Sequence, residues 1–150
     1  MRRRDVLKGL VASPLVGVER QSTKGLEITG LEVFRVHVNK RGNWTIPRLR
    51  TTNGLTGIGD ATQSGNDEET LRYLQKFFEL LRGREVFGIE WYRSATADVI
   101  AAGGQHAAVA ASALEHCLWD IRGKALDVPA YQFFGGKVRF QRRSSSSSQR

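Results

Sequence analysis

The sequence is poor in cysteine and contains no long apolar segment. Its 150 residues include one cysteine, Cys117, which excludes an internal disulfide bond and a C-x-x-C metal or redox site. No apolar run approaches the ~20 residues that a membrane-spanning helix requires. The hydrophobic content of 40% and the charged content of 25% are ordinary for a globular domain. The length allows one domain with its own core.

The net charge of +8 is concentrated at the two ends of the chain. Residues 1–24 carry six Lys or Arg and two acids, and residues 137–150 carry five Lys or Arg and no acid. The middle, residues 25–136, carries twelve basic and thirteen acidic residues. A nucleic-acid-binding domain usually has a basic face on its folded part, so this distribution argues against nucleic acid as a partner.

Both ends are predicted to lie outside the folded domain. The segment RRDVLK at positions 3–8 resembles a twin-arginine export signal, and a short, mildly apolar stretch follows it. We therefore predict that residues 1–24 are a signal or a disordered basic segment. Export to the periplasm is the expectation, and a cytoplasmic location is the alternative. Residues 140–150, FQRRSSSSSQR, are predicted to be a disordered Arg/Ser tail because they offer little apolar surface to bury.

The folded part, residues 25–139, begins with a β-rich half. The segments LEVFRVHV (31–38), WTIPRLRT (44–51) and LTGIGDA (55–61) predict three strands of an antiparallel meander. Asn53-Gly54, between the second and third, predicts a two-residue hairpin turn because both residues tolerate positive φ.

Two details of these strands are also predicted. Alternation along the first strand places Phe34, Val36 and Val38 on one face, which we expect to face the core. Pro47 lies in the middle strand and has no N–H donor, so we expect a bulge or a local break there.

About three helices follow the strands. Asn66 and Glu69 form a capping-box pattern at the start of the first helix, which Gly83 ends. A second helix is predicted from Ile89 to Ala101, where the sequence AAGG interrupts it. A third runs from about residue 106 to 126. The fold class is therefore α+β, a three-stranded antiparallel meander followed by about three helices.

A polar cluster on the third helix suggests catalysis at first sight. Within SALEHCLWDIRGKAL (112–126) lie Glu115, His116, Cys117 and Asp120. Adjacent helix residues point about 100° apart, so a Cys117–His116 catalytic pair is improbable, and a metal site lacks a third ligand. The helical wheel instead predicts a ladder of surface pairs through His116, Asp120 and Lys124, opposite an apolar stripe of Ala107, Ala110, Ala111, Leu114, Cys117, Leu118, Ile121 and Ala125.

The order of these motifs resembles one enzyme family. The mandelate racemase/muconate lactonizing enzyme group of the enolase superfamily typically has A-L-W-D-x-x-G-K-A followed by P-x-Y-x-L-L-G-G. The segments LRTTNGLTGIGDAT and LLRGREVFGIEWYR resemble two further motifs of that family, with Asp60 in place of Glu and Val86 in place of Pro. The matching residues of the first motif are Leu118, Trp119, Asp120, Gly123, Lys124, Ala125, Pro129, Tyr131, Gly135 and Gly136.

The resemblance implies an N-terminal capping domain whose catalytic partner is a (β/α) barrel. The family removes a proton α to a carboxylate, with Mg²⁺ stabilising the product of that step and a barrel Lys or His acting as base. Such a barrel needs about 200 residues or more, and 14 residues of this sequence follow Gly136. We therefore assign no catalytic residue, no metal ligand and no cofactor to this chain, and expect Mg²⁺ only in an intact enzyme.

In the family, two loops of this domain cap the substrate. The corresponding segments are residues 38–44 and 61–67, and the first suits a carboxylate or a polyhydroxy substrate by charge and hydrogen bonding. A solvated hairpin turn is the alternative interpretation. The predicted capping residues are Asn39, Lys40, Arg41, Asn43, Trp44, Thr62, Gln63 and Ser64.

The sequence leaves two functions open. The first is the capping domain of a Mg²⁺-dependent dehydratase or racemase acting on a sugar acid, truncated before its barrel and inactive alone, whose intact relatives are expected to form homo-oligomers. The second is a non-catalytic interaction module that docks on a separate barrel or on another partner protein. Whether the chain is itself an enzyme stays open.

Overall fold

The computed structural model describes residues 25–39, 42–63 and 67–137, with only the backbone of Asn39. The export-signal-like segment, the Arg/Ser tail and the predicted helix cap at Asn66 lie outside these residues. The described elements follow one another in the predicted order, three strands and then helices. No helix among the described residues is long and apolar enough to cross a membrane.

The strands form one antiparallel meander, as predicted. β1 spans Ile28–Asn39, β2 spans Gly42–Thr51 and β3 spans Thr56–Ile58, in the spatial order β1-β2-β3. The β2–β3 turn is three residues wide instead of two. Thr51 N–H donates to the Leu55 carbonyl at 3.0 Å, and Gly54 takes a positive φ of 84°, which is the usual geometry of a three-residue hairpin loop.

Pro47 neither breaks β2 nor causes a bulge, so that prediction is wrong. Val33 pairs with Pro47 in register, and the irregularities of the β1–β2 ladder lie at Ile28/Gly30 and His37/Asn39. The Pro47 carbonyl accepts from Gly59 N–H at 3.0 Å on the β3 side. In an antiparallel sheet the N–H and C=O of one residue point the same way. The missing donor therefore faces β3, and the β1–β2 ladder loses no hydrogen bond.

The predicted core face of β1 is also wrong. Phe34, Val36 and Val38 are between 42% and 50% exposed, whereas Leu31 and Val33 pack against the core. β2 decides the outcome, because its inward face contains buried Thr45, Pro47, Leu49 and Thr51, and Leu31 and Val33 pair with Leu49 and Pro47. The other face of the sheet is therefore the outer face, where Glu32 pairs with Arg48 and Arg50.

The helical half consists of α1, Asp67–Leu81, α2, Ile89–Ala125, and a 3₁₀ helix, Ala130–Phe134. Gly104 interrupts α2 with φ 60° and ψ −143°, at the AAGG sequence that predicts the break. The two arms, residues 89–103 and 105–125, fold back on each other. Tyr92 Oη donates to the Ala111 carbonyl at 3.0 Å across the two arms. The predicted second and third helices are thus the two arms of one helical hairpin.

The core lies between the inner face of the sheet and the helices. All eight residues of the predicted apolar stripe of α2 are buried, which confirms the helical-wheel assignment. β3 approaches this helix at backbone distance. A Cβ atom at Gly57 would overlap the Cys117 carbonyl oxygen and lie 2.7 Å from Ile121 Cγ1, and one at Gly59 would overlap the Ala113 carbonyl oxygen. The G-x-G sequence is therefore a packing requirement.

Replacing Gly57 by Ala should destabilise the fold by about 1–3 kcal/mol, because the added methyl group forces β3 away from a helix backbone that cannot yield. Urea unfolding of the full chain measures the loss. Gly30→Ala is the matched control, since it makes the same change inside a strand where the nearest atoms are 3.9 Å from the new Cβ. We expect no loss for this control, and equal losses in the two variants would contradict the packing requirement.

Candidate functional site

The polar cluster of the long helix does not form a catalytic site. Cys117 is fully buried, and its Sγ donates to the Pro47 carbonyl at 3.5 Å. Burial raises the pKa of the Cys117 thiol to about 12, so it holds little thiolate near neutral pH. His116 lies on the exposed side of the helix. Among residues 25–39, 42–63 and 67–137, no group of three or more His, Cys, Asp or Glu is placed to hold a metal ion.

Asp120 and Lys124 secure the outer edge of β3. Asp120 Oδ2 accepts from the backbone N–H of Ile58 at 3.0 Å, and Lys124 Nζ donates to the Thr56 carbonyl at 2.8 Å. The two side chains also form an ion pair at 2.8 Å. The prediction of a surface ladder through His116, Asp120 and Lys124 is therefore only partly right. Asp120 and Lys124 form the predicted pair, but both also form hydrogen bonds with the backbone of an edge strand.

Glu115 joins the two arms of the helical hairpin. Arg93 donates to both carboxylate oxygens, with Nη2 2.6 Å from Oε1 and Nε 3.1 Å from Oε2. Trp119 Nε1 donates to Oε1 at 3.0 Å. The hydrogen bonds from Arg93 hold the pKa of Glu115 below its usual value, and the bond from Trp119 contributes further. Glu115 thus connects the two helical arms through its hydrogen bonds with Arg93.

The Glu115 contact predicts a pH-dependent stability. A carboxyl group whose pKa is lowered by folding stabilises the fold above its unfolded-state pKa and loses that contribution as the pH falls through the folded-state pKa. Glu115→Gln should therefore cost about 1 kcal/mol near pH 7. The cost should shrink as the pH falls below the ordinary value of 4.5. Urea unfolding at a series of pH values measures it.

Glu79→Gln is the control for that experiment. Glu79 also pairs with an arginine, accepting one hydrogen bond from Arg82 three residues away, and both side chains are about half exposed. Exposed pairs contribute little, so this control should change stability by only a few tenths of a kcal/mol at any pH. A Glu115→Gln cost that does not vary with pH would contradict the assignment.

Three chain segments meet at one end of the sheet. The end of β1, the start of β2 and the chain after β3 all reach this end because the meander is antiparallel. The chain after β3 continues along β2, with Ala61 N–H donating to the Thr45 carbonyl at 2.8 Å. Thr45 N–H in turn donates to Thr62 Oγ1 at 3.2 Å. We call this end, with the first turn of α1, the loop end of the domain.

Polar side chains of the loop end contact one another across separate elements. His37 Nδ1 lies 3.0 Å from Asn43 Oδ1, and Asn43 Nδ2 donates to Asp67 Oδ2 at 3.2 Å. Arg35 Nη1 donates to Glu68 Oε1 at 2.9 Å. These contacts bring the hairpin of β1 and β2 against the start of α1.

Part of the predicted capping set falls within the described residues. Asn43 and Thr62 make the contacts given above. Trp44 is 55% exposed and lies on the outer face of the sheet, opposite Val36. Gln63 is half-buried, and its Oε1 has no hydrogen-bond partner among the described residues. The side chains of Asn39, Lys40, Arg41 and Ser64 lie outside the described residues.

Sequence reasoning missed three residues of the loop end, Arg35, His37 and Glu68, and it placed Asp67 in the second capping segment without giving it a role. A signal for them exists, because the two basic residues alternate along β1 and three acids, Asp67, Glu68 and Glu69, open α1. Their opposite charges are the pattern that connects the two segments. Assigning the apolar face of β1 to the core hides this pattern.

The fold, a three-stranded antiparallel sheet followed by helices, defines the class of protein, namely the α+β N-terminal domain of enolase-superfamily enzymes. The model for "Mandelate racemase / muconate lactonizing enzyme, N-terminal domain" matches residues 32–135. The chain therefore belongs to the mandelate racemase/muconate lactonizing enzyme family, as its N-terminal domain.

Proteins of the sugar-acid dehydratase group are similar to this chain. A D-mannonate dehydratase of Caulobacter vibrioides is 35% identical over 103 residues, which are 65% of this chain and 25% of that protein. A D-galactonate dehydratase family member of Pseudarthrobacter chlorophenolicus is 34% identical over 120 residues, covering 76% and 28% of the two chains.

A solved structure extends the similarity to the fold. A putative galactarate dehydratase from Agrobacterium radiobacter, bound to sodium and L-malate, superposes with a TM-score of 0.70 at 32% identity, over 76% of this chain and 29% of that one. The chain thus spans about a quarter to three tenths of the length of these relatives.

Proposed function

We propose that this chain is the substrate-capping domain of an enolase-superfamily dehydratase that acts on a sugar acid. The dehydratase names of its relatives support the reaction class, since mannonate and galactonate are both sugar acids. Racemisation of such an acid is the runner-up, because it begins with the same removal of a proton α to a carboxylate. The proposal retains residues 38–44 and 61–67 as the capping loops.

The single observation that carries this proposal is the geometry of the loop end. Antiparallel pairing delivers the β1–β2 hairpin and the chain after β3 to the same end of the sheet, and hydrogen bonds hold both against neighbouring elements. A polar surface held by such hydrogen bonds suits a cap, which excludes water and orients the substrate over groups supplied by another domain. The capping domain itself then requires no nucleophile and no general base.

Magnesium, which the family resemblance implies, does not fit the described part of this chain. Magnesium prefers oxygen ligands in octahedral geometry, and residues 25–39, 42–63 and 67–137 contain no fitting cluster of acidic or other ligating side chains. In the proposed enzyme the ion belongs to the barrel, and no step of the reaction is assigned to it here.

Joining residues 25–136 to the barrel half of the Caulobacter D-mannonate dehydratase should test the proposal. We expect the fusion to dehydrate D-mannonate or D-galactonate in the presence of Mg²⁺ about 100-fold faster than the barrel half alone, because the cap restores positioning of the substrate and exclusion of water. A coupled assay for the 2-keto product measures the rate.

The 150-residue chain without a barrel is the second arm of that experiment. It should show no dehydration under the same conditions, and the relative with its own N-terminal domain gives the upper limit. A fusion no faster than the barrel half alone would contradict the capping role, as would dehydration by the isolated chain.

The second candidate, a non-catalytic interaction module, is favoured by one observation. The outer face of the sheet exposes five large apolar side chains, between 42% and 55% accessible, which are Phe34, Val36, Val38, Trp44 and Ile58. Exposed apolar patches often mark protein interfaces. Under this alternative the purified chain should elute in size-exclusion chromatography as a defined complex with a separate barrel half. A capping domain that requires covalent continuity with its barrel should not form that complex.

A further inference from the structure

Asn43 lies at the centre of a connection between the hairpin and α1. Asn43 is near the start of β2, where it pairs with His37 of β1. Its side chain reaches two neighbours, His37 on the adjacent strand at 3.0 Å and Asp67 at the start of α1 at 3.2 Å. The second contact spans 24 positions in the sequence, so it is a tertiary contact and not part of the hairpin itself.

The chemistry of the three groups determines the direction of the hydrogen bonds. An ionised Asp67 carboxylate only accepts, so the Nδ2 of Asn43 faces it and the Oδ1 of Asn43 faces His37. Because Oδ1 only accepts, His37 must donate from Nδ1. The order is therefore His37 to Asn43 to Asp67. Both ends of the Asn43 amide are engaged by protein groups.

A second contact runs parallel to this chain of hydrogen bonds. Arg35 lies two residues before His37 on the same face of β1, and it donates to Glu68, the neighbour of Asp67, at 2.9 Å. The strand therefore presents two basic side chains to two consecutive acids in the first turn of α1. Both contacts join the hairpin to the first turn of α1. This helix begins at Asp67, where the second capping loop ends.

We propose that Asn43 is a positioning residue that holds the hairpin of the first capping loop against the helix that follows the second, and that it does not itself bind the substrate. The relevance to substrate rests on the proposed capping function, but the connection is a property of this chain alone. The proposal replaces the sequence-based assignment of Asn43 as a substrate contact.

The test is amide hydrogen exchange in the full 150-residue chain, without substrate. Asn43→Asp places a second carboxylate beside Asp67, and the repulsion should open the connection. Exchange should accelerate about fivefold, which corresponds to ~1 kcal/mol at 1.4 kcal/mol per tenfold, both in residues 42–45 and in residues 71–74 of α1. The double variant Asn43→Asp/Asp67→Asn should return both segments to the wild-type rate, because the amide introduced at position 67 then donates to the new carboxylate.

Two further measurements keep the test independent of general unfolding. Asn53→Asp makes the same substitution in the other turn of the sheet, where Oδ1 accepts from Thr51 and Leu55, and it should leave residues 71–74 unchanged. In the wild-type chain, nitrogen NMR of neutral His37 should place the ring proton on Nδ1. Asn43→Ala should remove the preference of the ring proton for Nδ1, while the other resonances remain those of a folded protein.

The outcomes separate this proposal from the capping function. Unchanged exchange in Asn43→Asp, or a double variant that is not restored, would overturn the positioning role whatever the barrel fusion does. If the fusion is active, Asn43→Asp should lower kcat/KM and the double variant should recover it. Failure of that recovery would identify Asn43 as a direct substrate contact and overturn the proposal. An inactive fusion with restored exchange supports the positioning role and counts only against the capping function.

Discussion

The close approach of β3 to the long helix is the constraint on which the rest of the structure depends. Gly57 and Gly59 bring no side chain of their own into the contact, so the backbone at these two positions lies directly on the carbonyl groups of Ala113 and Cys117. The small residues of the helix stripe permit this approach. Asp120 and Lys124 then satisfy the backbone groups of the strand edge that no further strand covers among the described residues. The close packing at the two glycines and the hydrogen bonds from Asp120 and Lys124 therefore fix the same position of β3.

The position of β3 determines the position of the loop end. The chain leaves β3 along β2 and reaches Thr62, whose hydroxyl accepts from Thr45. The start of α1 follows, and its acids meet Arg35 and the His37–Asn43 pair. A displacement of β3 would thus be carried along this path to the start of β2 and the first turn of α1.

Elements that depend on local periodicity could be predicted from the sequence. The three strands, the apolar stripe of the helix and the break at AAGG all follow from spacing or from glycine. The family could be predicted as well, because its motifs occur in the right order. The family comparison confirms that inference and the α+β class.

Features that depend on tertiary partners could not be predicted in this way. Both faces of β1 contain apolar residues, and only the burial pattern of β2 decides which one is covered. Pro47 is harmless because its carbonyl faces β3, which the alternation of side chains does not reveal. The roles of Asp120 and Lys124 depend on a strand more than 60 positions away.

Gly104 has a consequence for how the helical hairpin tolerates change. One residue reverses the direction of the chain, so there is no loop in which an extra residue could be absorbed. An insertion beside it would rotate one arm by about 100° relative to the other. That rotation would carry Arg93 away from Glu115 and the Tyr92 hydroxyl away from Ala111. Gly104 therefore fixes the length of this segment as strictly as its composition. Related domains that keep these contacts between the arms should differ here by substitution and not by insertion.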